Sequence, residues 1–184
     1  APPMDYLPIF VATKTHRIVV AGEGQLAEAK CRAVLKTAAA VTLFSEAPTE
    51  AMREWASQRQ LTLKARPCTA ADLEGVRLVY AASDSEAANR QLAEWARQAG
   101  AWVNVLDKPE ECDFITPAVV DRDPVVVAIG TEGTAPVLAR QIKADVEAML
   151  PQHLGRLARA AQSFRQRVSE TLPPGRPRRQ FWKA

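Results

Sequence analysis

The sequence predicts an α/β fold: a Rossmann-like parallel sheet with helices on both faces, followed by a β-hairpin dimerisation region and a C-terminal helical region. Three observations carry that expectation. Short β-branched runs alternate with helix-forming stretches to about residue 113, the pattern of βα units that bury a parallel sheet between helices. A glycine-containing turn follows the first of these runs. Past residue 113, two apolar runs lie too close together to enclose a crossover helix, so they pair antiparallel.

Taken in order, residues 16–21 form a buried strand ending at Gly22. Residues 25–36 are helix formers, with Leu26, Ala29, Ala33 and Leu35 available for an inner face. Residues 40–44 form the second strand, and 48–58 a second helix with Thr49 as its N-cap. The third strand, 61–65, is shorter and more exposed, and 70–74 make a brief helical turn. Residues 77–82 form the fourth strand, 85–98 a helix closed by Gly100, and 101–106 the fifth strand. Right-handed crossovers then bring every strand's C-terminal end to one edge. The hairpin strands are 114–120 and 124–129, linked by Asp121-Arg122-Asp123. Helices at 135–150, stopped by Pro151, and at 153–172 follow, and 173–184 read as a tail or linker. The hairpin's alternating valines and isoleucines have too little of their own chain to cover both faces, so the region predicts a homodimer.

Composition narrows the functional classes. Of 184 residues, 47% are apolar and 24% charged, ordinary globular usage. A net charge of +3 is too balanced for a chain whose task is gripping nucleic acid. No run approaches the roughly 18 apolar residues of a membrane span, and the amino terminus lacks the basic and apolar regions of a secretory signal. Cys31, Cys68 and Cys112, odd in number and without CxxC spacing, suit neither a disulfide framework nor a zinc site. The expectation is a reduced, cytoplasmic protein without a resident metal, with Cys31 as a small buried hydrophobe.

Two stretches carry chemistry. Gly22-Glu23-Gly24-Gln25-Leu26-Ala27 is a G-x-G-x-x-A between strand and helix. Its glycines permit a tight turn and close backbone approach to a pyrophosphate at the helix N-terminus. The acid expected on the cofactor's ribose falls near the end of the second strand, at Glu46, with no adjacent arginine to take a 2′-phosphate, so NAD is favoured over NADP. Asp107 ends the fifth strand on the ligand-binding edge, where a carboxylate can take a proton as hydride leaves. The chain therefore divides into a dinucleotide-binding domain at 1–113, a hairpin-and-helix region at 114–150, and a helical region with tail at 151–184. His16 and His153 read as surface residues, and Trp55 and Trp95 as core or groove residues. Arg156, Arg159, Arg165 and Arg167 suit a solvated face, while Arg122, Arg140, Lys143 and Arg156 could together line an electropositive cleft.

A set of motifs running through the chain carries a resemblance. It opens with Met4-Asp-Tyr-Leu-Pro-Ile-Phe10 and the glycine turn through Lys30, and continues with Ala81-Ala-Ser-Asp-Ser-Glu-Ala-Ala-Asn89. Val103-Asn-Val-Leu-Asp107, Asp113-Phe-Ile-Thr-Pro117 and Asp121-Arg-Asp-Pro124 follow. Ala135-Pro-Val-Leu-Ala-Arg140 and Leu150-Pro-Gln-His-Leu-Gly155 complete it. Together, from Met4 to Trp182, they resemble the precorrin-2 dehydrogenase/sirohydrochlorin ferrochelatase module of siroheme synthases. The resemblance implies NAD-dependent oxidation of precorrin-2 to sirohydrochlorin, then insertion of Fe²⁺ as substrate to give siroheme. It assigns Asp107 to both steps and Gln25, Leu26, Glu46 and Ala47 to NAD, beside Gly22 and Gly24. It implies a homodimer whose paired subunits form the tetrapyrrole cleft. A fused uroporphyrinogen methyltransferase module follows in bifunctional members, after a tail like Arg178-Arg-Gln-Phe-Trp182.

Departures from the family pattern are few. Glu23 holds the middle place of a usual Gly-Gly-Gly, a place the fingerprint leaves free. Thr131 replaces a serine that carries phosphate in some members, and Glu132 adds a negative charge in Gly130-Thr-Glu-Gly133. Two other classes compete with the enzyme: a non-catalytic NAD-binding sensor and an inactive scaffold for a methyltransferase. The G-x-G-x-x-A turn disfavours the scaffold and Asp107 disfavours the sensor.

Overall fold

A computed structural model describes residues 3–182, with Gln166 by its backbone only. Ala1 and Pro2, in the stretch read as lacking a signal, and Lys183 and Ala184 of the expected tail lie outside the described residues. The chain divides into two compact units, one up to Ile115 and one from Thr116.

In the first unit, β1 (Arg17–Gly22), β2 (Ala40–Phe44), β3 (Thr62–Lys64), β4 (Val76–Ala82) and β5 (Trp102–Val105) form one parallel sheet in the order β3-β2-β1-β4-β5. The connections are α1 (Gly24–Val34), α2 (Glu50–Ser57), a 3-10 turn at Ala70–Leu73 and α3 (Glu86–Gln98). Alternation along each strand divides the apolar residues between two layers. Ile18, Val20, Leu43, Leu78 and Tyr80 pack with Ala27, Cys31 and Val34 of α1 and Met52 of α2. Val19, Ala21, Val79, Ala81, Val103 and Val105 pack with Leu92, Ala93 and Ala96 of α3 and with Leu73. A valine as fully buried as Val19 or Val103 contributes about 1.5–3 kcal/mol. Trp55 and Trp95 pack, partly buried, on these two layers.

Local signals set the helix starts. The Thr49 hydroxyl accepts from the Met52 amide and caps α2, and Ser85 does the same for α3 through the Ala88 amide. At the fifth strand the chain doubles back over a 3-10 turn at Pro109–Glu111 that the sequence did not announce. Asp113 then lies along β5, its amide donating to the Val103 carbonyl at 2.8 Å and its carboxylate accepting from the Val103 amide at 2.9 Å.

The second unit holds an antiparallel hairpin, β6 (Ala118–Arg122) with β7 (Val125–Ile129), and then α4 (Pro136–Met149), α5 (Leu154–Thr171) and α6 (Arg176–Phe181). Three expectations need correction. Residues 114–117 are not strand: the Phe114 ring stands edge-on to Tyr80 at 5.3 Å, and its carbonyl accepts from the Asn104 side chain. Residues 121–123 are not the link either, since β6 runs through Arg122, which pairs with Val125 across a turn at Asp123 and Pro124. Thirdly, the expected tail contains α6, which Pro177 opens in its first turn.

Two tight contacts hold this unit together. The Arg122 guanidinium donates to the carbonyls of Glu147 and Leu150, satisfying the C-terminal end of α4. Arg122 thus serves the helix end. At Gly155, α5 crosses the hairpin turn so closely that a Cβ would lie 2.1 Å from the Asp123 carbonyl oxygen. No helix among the described residues is long and apolar enough to cross a membrane.

Candidate functional site

The sheet order changes direction between β1 and β4, and ligands of open α/β sheets bind outside the strands' C-terminal ends at such a point. Gly22 ends β1 there and pairs with Ala82 of β4. A Cβ on Gly22 would lie 2.0 Å from the Ala82 carbonyl oxygen, so the two strand ends meet only because position 22 has no side chain. Gly24 opens α1 at φ 66°, and a Cβ there would meet nothing within 4 Å. Unlike α2 and α3, α1 has no side-chain cap: Glu23 stands at its N-cap without a side-chain hydrogen bond. A helix start with open space before it and its first amides uncapped fits an anionic pyrophosphate.

The loop after β4 forms the next wall. Asn89, 4% exposed, accepts from the Ser83 amide at 2.9 Å and donates to the Ser83 carbonyl at 2.8 Å. One buried amide side chain thereby fixes the loop that faces the glycine turn. After β5, Leu106 donates to the Ala81 carbonyl at 2.9 Å, and the chain turns at Asp107 with φ 56°. That left-handed conformation is uncommon for a non-glycine residue, and aspartate is among those that tolerate it. Lys108 pairs with Glu86 at the start of α3, 3.0 Å away. Beneath, the Cys112 thiol accepts from the Val105 amide at 3.1 Å, and burial pushes its pKa up.

These pieces enclose an open cleft of about 250 Å³ lined by Leu26, Ser83, Asn89, Asp107, Lys108 and Glu111 among others. A larger cleft, about 480 Å³, lies in the second unit against α5 and Trp182, with Arg165 as its one charged lining residue among those described. The smaller cleft is the better candidate, because it alone of the two joins a helix N-terminus to a carboxylate. Of the residues expected from sequence, Leu26 and Asp107 line it together, and Gly22, Gly24 and Gln25 sit at its glycine-turn end. Glu46 and Ala47 are exposed just past β2, on the same edge but outside this cleft. Among the described residues, no group of three or more His, Cys, Asp or Glu side chains is arranged to hold a metal ion.

Sequence reading missed Ser83, Asn89 and Lys108, although the first two belong to one of the quoted motifs. It also missed an arginine near the end of β2. The Arg66 guanidinium lies 5.1 Å from the Phe44 ring centroid, brought there by β3 pairing with β2. It is already committed to Asp72 through two hydrogen bonds of 2.7 Å. Those bonds hold the Asp72 carboxyl well below the usual carboxylate range.

Residues 9–118 match a family model described as "Putative NAD(P)-binding", and residues 153–184 match the sirohaem synthase dimerisation region. The chain is 42% identical over 180 residues to a siroheme synthase of Methylococcus capsulatus, covering 98% of the chain and 38% of that protein. It is 41% identical, with the same coverage, to a siroheme synthase of Photobacterium profundum. The chain thus spans well under half the length of these relatives. Among solved structures it resembles SirC, a precorrin-2 dehydrogenase, with a TM-score of 0.76 over 95% of this chain and 86% of that one. At 21% identity that likeness speaks for the fold.

Proposed function

Because the chain belongs to the NAD(P)-binding family, and its relatives are siroheme synthases, we propose that it is a precorrin-2 dehydrogenase module that makes sirohydrochlorin with NAD. The observation that carries this reading is that Leu26, from the head of the glycine-turn helix, and Asp107, in the turn after β5, line one cleft. When bound, the dinucleotide supplies the hydride acceptor. Gly22 and Gly24 would let its pyrophosphate reach the backbone, and the uncapped amides of α1 would hold it beside Gln25 and Leu26. Glu46 and Ala47 serve the ribose end. With Arg66 held by Asp72, that guanidinium does not await a 2′-phosphate there, which favours NAD over NADP.

Asp107 is the base. Oxidation removes a hydride and a proton from the macrocycle, and the Asp107 carboxylate in the cleft lining can accept the proton. Insertion of Fe²⁺ as substrate releases two pyrrole N–H protons, and the same carboxylate can take them in turn, so chelation to siroheme belongs to the same reading. The protein works as a cytoplasmic homodimer, with a uroporphyrinogen methyltransferase module as a fused partner. Support for the dimer comes from the matched dimerisation region and from the hairpin, where Val119, 40% exposed, and Val126, 41% exposed, lie on one uncovered face with Ala128.

The test is direct. The purified chain, incubated with precorrin-2 and NAD, should yield sirohydrochlorin and NADH in equal amounts, followed by absorbance. Added Fe²⁺ should convert the product to siroheme faster than in protein-free buffer. No NADH from authentic precorrin-2 would end this reading, and an unchanged chelation rate would remove its second half alone.

A further inference from the structure

Lys30 stands one helical turn after Leu26 on α1, so the two share a face. Helical side chains lean toward the N-terminus, which carries the lysine's amine back toward the cleft that Leu26 lines with Asp107. The amine is half-buried, and its nitrogen lies 5.6 Å from the centroid of the Tyr80 ring. Within the described residues it has neither a hydrogen bond nor an ion pair. The nearby lysine Lys108, by contrast, is paired with Glu86 at 3.0 Å. Burial pushes the Lys30 pKa down, with the charges of Cys112 and Asp107 pulling the other way.

A half-buried ammonium without a hydrogen bond or ion pair carries a desolvation cost, and a π-face offsets only part of it. An anion arriving in the cleft would complete it. We infer that Lys30, beside the Asp107 cleft rather than in its lining, binds a carboxylate of an acidic tetrapyrrole, so that the macrocycle is anchored next to the base. This rests on the proposed function, since it takes the acidic tetrapyrrole as the occupant of that cleft. The competing source of negative charge is the dinucleotide's own pyrophosphate. Position argues against it, because the pyrophosphate belongs at the first amides of α1 and Lys30 lies in that helix's second turn.

The experiment uses the full chain and two separate titrations: uroporphyrin, a polycarboxylate tetrapyrrole, by fluorescence quenching, and NAD by calorimetry. Lys30→Met should weaken uroporphyrin binding on the order of tenfold, the scale of a lost hydrogen bond to a charged group. Lys30→Arg should restore most of it, and NAD affinity should stay within about twofold of wild type throughout. Equal uroporphyrin affinity in wild type and Lys30→Met overturns the inference. So does a tenfold loss confined to NAD, which would give the amine to the cofactor. If Lys30→Met does not fold, Lys30→Gln replaces it under the same criteria. Should wild type neither bind uroporphyrin nor oxidise precorrin-2, the proposed function falls and this inference with it.

Discussion

Asp107→Asn separates the chemistry of this position from its backbone. At φ 56° an ordinary L-residue is strained by roughly 1 kcal/mol. Aspartate and asparagine are the side chains enriched there. Asparagine also keeps the shape that lines the cleft, so Asp107→Asn should unfold within about 0.5 kcal/mol of wild type. Alanine at the same place should lose about 1 kcal/mol, or roughly 2–4 °C in Tm for a chain of this size. Neither change touches the glycine turn, so NAD affinity should hold. What asparagine removes is the ability to accept a proton. Loss of such a group costs roughly 10²–10⁴ in rate, about 2.7–5.4 kcal/mol of barrier. The assay is NADH formation at saturating precorrin-2, with NAD calorimetry and thermal melting on the same preparation. If Asp107→Asn oxidises precorrin-2 at the wild-type rate, the proton leaves by another route and the assignment fails.

Three further outcomes follow from the geometry. Gly22→Ala sets a Cβ 2.0 Å from the Ala82 carbonyl oxygen, backbone against backbone; it should destabilise by about 3 kcal/mol or more in urea unfolding, and a loss under about 1 kcal/mol would mean the strand ends can part. Asp72→Asn loosens the Arg66 pair at the end of β2 and should raise NADP affinity relative to NAD by a factor of roughly three to ten, as read by calorimetry; an unchanged ratio would show that Arg66 does not reach the ribose end. Val126→Glu puts a charge on the uncovered hairpin face and should shift sedimentation from dimer to monomer while leaving the NAD Kd of the first unit unchanged, whereas a dimer that persists would place the interface elsewhere.

How much of this was legible in the sequence depended on the range of the interaction involved. Local rules were readable at single residues. Thr49 caps the helix it precedes because a short hydroxyl side chain reaches the amides of the same turn. The strand at 40–44 matches the observed β2 to the residue, a short run holding β-branched and aromatic side chains that ends at Ser45-Glu46. Errors gathered where a distant partner decides. Phe114 belongs to an apolar run that reads as strand, yet its ring goes to Tyr80 and its carbonyl to Asn104, so β6 begins only at Ala118. A positively charged Arg122 suggested a ligand cleft, and the carbonyls at the end of α4 claim it instead.

At the site the same division holds. By itself the sequence determined that the glycine turn follows a strand and opens a helix, and that an aspartate follows the fifth strand, because both signals span only a few residues. Only the tertiary structure decided that Leu26 and Asp107 line one cleft, eighty-one positions apart in the chain, since that depends on β4 pairing with β1 on one side and β5 on the other. Gly22 needs to be glycine because Ala82 approaches it, and Asn89 matters because Ser83 folds back onto it. Lys30 illustrates the limit most simply: on a helical wheel it is one more charged residue, and the packed sheet alone turns it into a half-buried cation over the Tyr80 ring. Burial and pairing are properties of neighbours, and neighbours distant in sequence are chosen by the fold.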